Sequence, residues 1–242
     1  GELATMYKLT FPLTALFFLI FALPAFFFIK EQSQKRKESF IKLTKIGFSK
    51  VFKTLKEIKS HKKIAWFLIA FYFMNDALVT LFTFISLYAR ATFSLSIKEI
   101  GLILLVIQAI AIPAAIFFGW LSDKKGQKRI LLSTLAVWCL IIILLTIANS
   151  KNLFYFIAIL TGLVIGGSQA IARSWLSKLI PPEKQFEFFG FNGFASKIGA
   201  TIGPLTFGAI SSFTGNQRIA MLALLRFFIV SLIIFAGIKE DK

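Results

Sequence analysis

Three ionisable side chains stand in stretches that are otherwise apolar. Asp76 lies in IAFYFMNDALVTLFTF, Lys197 in GFNGFASKIGATIGPLTFG and Arg226 in AMLALLRFFIV. An ionised group at the centre of a bilayer costs on the order of 3 kcal/mol on insertion scales, so each is a candidate for function. A carboxylate at that depth can take up a proton or hold an amine, and a lysine or arginine can hold a carboxylate. Asn75 and Gln108 add uncharged polar groups to the same pathway, and Tyr72, Asp76, Thr80 and Thr83 share one helical face. The structural alternative is an ion pair: Asp76 and one of the two cations, at similar depth, would neutralise each other and lock helices together.

These residues need spanning elements to carry them. The 242 residues are 57% hydrophobic and include 30 Phe, beyond what a water-soluble domain carries. Apolar runs near 9–29, 64–88, 99–118, 130–148, 153–172, 186–211 and 218–237 are each long enough to cross a bilayer as a helix. The expectation is therefore an all-α integral membrane protein with seven spans. The net charge of +17 does not point to nucleic acid, because the cations sit beside the spans. With strict alternation, 21 of the 28 Lys and Arg fall in loops on one side and 5 on the other. By the positive-inside rule that puts the N-terminus outside and the C-terminus in the cytoplasm.

Several chemistries find no support. Cys139 lies within the fourth span and reads as a packing residue; His61 is the one histidine and sits in a basic loop. No metal cluster, phosphate loop or nucleophile elbow is recognisable, so neither an enzyme nor a cofactor is expected. The chain divides into a first span over 1–29, a basic segment over 30–63 and a six-helix bundle over 64–242. Apolar residues recur at helical spacing from Phe40 to Ile58 among many lysines, which predicts an amphipathic helix on an anionic membrane surface or a plain connector. The chain opens GELATMYK, without an initiator Met, and reads as beginning inside something longer.

Two short patterns stand out. GWLSDKKGQKRI, over 119–130, packs one acid, four cations and two glycines between apolar runs. There Gly126 permits the chain reversal and Asp123 can cap a helix or meet a cation such as Arg173. Gly199, Gly203, Pro204 and Gly208 form G-x-x-x-G-P-x-x-x-G, which allows close helix packing and a bend. Gly162, Gly166 and Gly167 read the same way in the preceding span.

The 119–130 stretch resembles the cytoplasmic loop motif of the major facilitator superfamily, G-x-x-x-D-[RK]-x-G-[RK]-[RK]. Gly119, Asp123, Lys124, Gly126 and Lys128 match it, and Gln127 departs at a basic position. MNDALVTLFTF, GGSQAIARSWLSKLIPPEKQFEFFGF, SKIGATIGPLTFG and NQRIAMLALLRFF, in that order, resemble the vacuole effluxer family of this superfamily. That family takes in the yeast autophagy-related amino-acid exporter and bacterial permeases. The resemblance implies a carboxy-terminal six-helix half-bundle preceded by helix six, with an amino-terminal half missing. It implies a permease of small solutes, amino acids among them, working by alternating access. Asp123 and Arg173 would help hold a cytoplasmic gate, in a bacterial inner membrane or, in a eukaryote, a vacuolar one. The bilayer, a small-molecule substrate and the missing half are the implied partners. The rival expectations are a non-transporting membrane scaffold and a homodimer that imitates two halves.

Overall fold

The computed structural model describes residues 2–28, 47, 49 and 61–239, and every regular element among them is helical. Two compact units are present, Gly1–Ile46 and Gly47–Lys242. The basic segment 30–63, with its expected surface helix, lies outside the described residues except at 47, 49 and 61–63.

The first unit holds α1, Glu2–Phe28, apolar on every face from Leu9 onward and containing Pro12 and Pro24. The second holds α2 (Lys62–Phe93), α3 (Ile97–Lys125), α4 (Gln127–Ile147), α5 (Lys151–Leu179), a single 3-10 turn (Pro182–Lys184), α6 (Gln185–Gly199), α7 (Ile202–Thr214) and α8 (Gln217–Gly237). Among the described residues six helices are long and apolar enough to cross a membrane: α1 over Leu9–Phe28, then α2, α3, α4, α5 and α8. The chain is a multi-pass integral membrane protein.

The stretch 186–211, expected to be one span, is two helices of 15 and 13 residues with a break at Ala200–Thr201. Pro204 accounts for the position of the break. It has no N–H to return to Ala200, and its ring crowds the carbonyl four residues back. Neither piece reaches spanning length alone, which is why six long helices are found where seven runs were read.

The other helix ends follow from local chemistry. The Ser96 hydroxyl accepts from the Glu99 N–H at 3.2 Å, and the Glu99 carboxylate accepts from the Ser96 N–H at 2.7 Å, a capping box that starts α3. Ser150 and Asn216 cap α5 and α8 in the same sense. Gly126 alone separates α3 from α4, with φ at +92°, a backbone conformation that a side chain strongly disfavours.

The core lies among α2, α4, α5 and α8. Trp138 stacks on Phe228, and Phe67 meets the edges of Trp175 and Phe235. The buried Ser231 hydroxyl donates to the Ala70 carbonyl at 2.9 Å and ties α8 to α2. Arg218, opening α8, donates to the carbonyls of Thr146 and Ala148 at the close of α4. At the other end Lys128, opening α4, donates to the carbonyls of Ala236 and Ile238 at the close of α8. Each cation satisfies carbonyls that a helix end leaves without an intrahelical partner.

Midway along α3 and α5 the two backbones come close. A Cβ built on Gly162 would lie 2.9 Å from the Ile107 carbonyl oxygen, and one on Gly166 would lie 2.5 Å from that of Ala111. One on Gly167 would lie 2.8 Å from Phe118 Cβ. Only residues without a side chain fit there, the packing rule of membrane helices.

Candidate functional site: a buried carboxylate at a helix break

Asp76 lies midway along α2 and is 1% exposed. Its Oδ2 accepts a hydrogen bond from the Gly203 N–H of α7 at 2.8 Å. The break at Ala200–Thr201 is what frees that N–H, because a new helix begins at Ile202 and its first donors have no partner in the helix. Thr201, at the N-cap position, makes no side-chain cap bond. The cap of α7 is therefore a carboxylate from α2, placed where the helix dipole favours negative charge. The other oxygen, Oδ1, is buried without a hydrogen-bond partner.

The joint is tight. A methyl built on Gly203 would overlap the Thr80 hydroxyl and lie 3.0 Å from Asp76 Oδ1. Thr80, itself fully buried, donates its hydroxyl to the Asp76 main-chain carbonyl at 2.7 Å. The shared face read for Asp76 and Thr80 is thus the face set against α7.

The remaining pathway residues are placed differently. Asn75 is half-buried beside Asp76, and Gln108 is exposed on α3. Lys197 on α6 and Arg226 on α8 are both exposed, and among the described residues Asp76 forms no ion pair with either. The charge pairing weighed for these groups does not occur in this conformation.

In the loop motif, Gly119 has open space around it, and Lys124 sits 4.0 Å from the centre of the Trp120 ring. Asp123 and Arg173 are exposed and form no ion pair with each other among the described residues. Besides Lys128, a contact at this end is made by Gln127, the residue that departs from the motif. It is 2% exposed, and its amide donates to the Ser174 hydroxyl at 2.6 Å, joining α4 to α5. Nothing in the sequence marks this pair, since its members are 47 positions apart. Of the second glycine pattern, Gly199 closes α6, Gly203 and Pro204 stand at the break, and Gly208 has open space around it. Among the described residues no three His, Cys, Asp or Glu side chains gather as a metal site.

The chain is 26% identical over 234 residues to an uncharacterized MFS-type transporter, YxiO, of Bacillus subtilis, covering 97% of this chain and 54% of that one. It is 24% identical over 207 residues to autophagy-related protein 22 of Kluyveromyces lactis, covering 81% and 42%. With the same-named protein of Saccharomyces cerevisiae the figures are 26% over 183 residues, 71% and 35%. The chain thus spans about half the length, or less, of the curated relatives it matches. The family and these relatives are effluxers and transporters rather than enzymes. The family model described as vacuole effluxer Atg22 like matches residues 4–242, nearly the whole chain, and so does not itself argue for a missing half. The chain belongs to the Atg22-like vacuole effluxer family.

Proposed function

We propose that this chain is one half of a secondary-active permease that moves small solutes, amino acids among them, across a membrane by alternating access. The observation that carries the reading is the broken helix at membrane depth with a buried carboxylate on its new N-terminus. Transporter sites near the bilayer midplane are typically built from such discontinuous helices. In this reading α6 and α7 together make one interrupted crossing, so that 64–242 forms a six-helix half-bundle of the major facilitator type. Helix α1 then corresponds to the superfamily's helix six and 30–63 to its central loop. The share of the relatives' length that the chain spans supports a complementary half, against whose face Gln108, Lys197 and Arg226 would stand.

The roles follow from chemistry. Asp76 takes up a proton or meets a substrate amine; Lys197 and Arg226, exposed and unpaired here, receive a substrate carboxylate. Asp123, Lys124, Lys128 and Arg173 line the cytoplasmic end, with the N-terminus of this chain outside and its C-terminus inside. The inner membrane is the setting in a bacterium and the vacuolar membrane in a eukaryote.

The test is amino-acid efflux from vesicles that hold the whole transporter, driven by an imposed pH gradient. Asp76→Asn is expected to remove the response to the gradient, by 10-fold or more, while protein level is unchanged. An unchanged response in that variant would sink the proton-coupled reading.

A further inference from the structure

The α6–α7 joint is assembled from parts that respond to one charge. Pro204 breaks the helix, and the break gives α7 an N-terminus of its own. That N-terminus has no cap from its own segment, and the Gly203 N–H donates instead to Asp76, 127 positions away. A hydrogen bond to an ionised carboxylate is roughly twice as strong as one to a neutral acceptor. The dipole of α7 adds a further attraction that exists only while Asp76 is charged. Meanwhile the Thr80 hydroxyl is committed to the Asp76 main chain, and Oδ1 has no donor at all.

No other charge shares the burden. Tyr72, one turn before Asp76 on α2, is the titratable side chain nearest to it in the chain. Of the elements packed against α2, α7 carries no titratable residue. Helix α6 brings Glu187 and Lys197, and α8 brings Arg218 and Arg226. Lys197 and Arg226 are exposed, Arg218 is engaged with α4 carbonyls, and none of the four forms an ion pair with Asp76. On α3 and α5 the charged side chains stand near the helix ends, and the Tyr155 hydroxyl donates to Glu99.

We propose that Asp76 is a proton-operated latch on the broken helix. As a carboxylate it holds the N-terminus of α7 flush against Thr80 of α2. As the neutral acid it releases that N-terminus, and α7 swings about the Ala200–Thr201 break. This deepens the assignment of Asp76 as a proton site and rests on it: it states what the proton does to the fold. Gly203 is required because any side chain there would hold the joint open at every pH.

The experiment is pulsed electron resonance on the whole transporter in liposomes. Spin labels replace Leu205 on α7 and Leu140 on α4, both exposed, in a Cys139→Ala background. The distance distribution is followed as the pH is lowered, with proton-driven efflux recorded in parallel. A single population at alkaline pH that gives way to a second, displaced one on acidification supports the latch. Asp76→Asn, uncharged at all pH, should show the displaced population throughout. A distribution that does not change with pH in the unsubstituted protein overturns the proposal, whether or not Asp76→Asn folds. A pH-dependent shift that persists in Asp76→Asn overturns it too, because another group then carries the proton. A shift without efflux keeps the latch and removes the transport reading, whereas proton-driven efflux without a shift keeps transport and removes the latch.

Discussion

At the scale of single residues, two positions separate what composition reveals from what contact reveals. Asp76 is conspicuous in the sequence because an acid is expensive where its neighbours are apolar. Its partner is not conspicuous, since a backbone N–H has no letter; only Pro204 hints that a donor nearby has lost its helical acceptor. Gly203 is the complement of that site. Gly203→Ala places a methyl on Thr80 and is expected to destabilise the bundle by about 1–3 kcal/mol, read as a lower midpoint of thermal unfolding in detergent. Gln127 shows the reverse case. As a departure from a basic motif position it looks like a weakened match, yet it is buried and bonded to Ser174. Restoring the motif by Gln127→Lys should therefore lower stability by about 1–3 kcal/mol rather than raise it, because a charge would be buried where an amide was satisfied.

Among the elements, the sequence announces five of the long helices in the second unit directly, through apolar runs bounded by Ser96, Ser150, Gly126 and Asn216. It does not announce the interruption of the sixth run. Apolar content over 186–211 is sufficient for a span, and hydropathy is blind to one missing hydrogen bond. The glycines of α5 were legible as a packing face, and their partner α3 was not, because spacing names a face without naming what meets it. The seam gives a discriminating pair of substitutions. Gly166→Ala should cost about 1–3 kcal/mol, since its methyl would lie 2.5 Å from the Ala111 carbonyl oxygen. Gly119→Ala, with open space around it in the same α3, should be neutral or stabilising by up to about 1 kcal/mol. Arg218→Ala should cost about 1 kcal/mol by leaving the carbonyls of Thr146 and Ala148 unpaired at the end of α4. Thermal unfolding in a common detergent checks all three.

For the molecule as a whole, the charges sort with the fold. Lys62, Lys63, Lys128 and Lys239 gather at one end of the second unit, and Arg218, Lys151 and Glu99 at the other. If the first end is cytoplasmic, a membrane-impermeant thiol reagent should label Lys151→Cys from outside in intact cells and leave Lys125→Cys unlabelled. Both residues are exposed, so accessibility alone decides the result. The membrane class was legible from composition, and the family from ordered short motifs. The site's geometry was not legible, because it depends on which faces of distant helices meet. The seam between α3 and α5 carries one more consequence. Where two backbones approach within less than a methyl group, no file of water can run between them, and neither can a hydrated ion. At that stretch the bundle offers no passage to the gradient that a coupled carrier would exploit. Prising it apart with a larger residue at Gly162 or Gly166 should raise the passive proton leak in liposomes as well as lower stability.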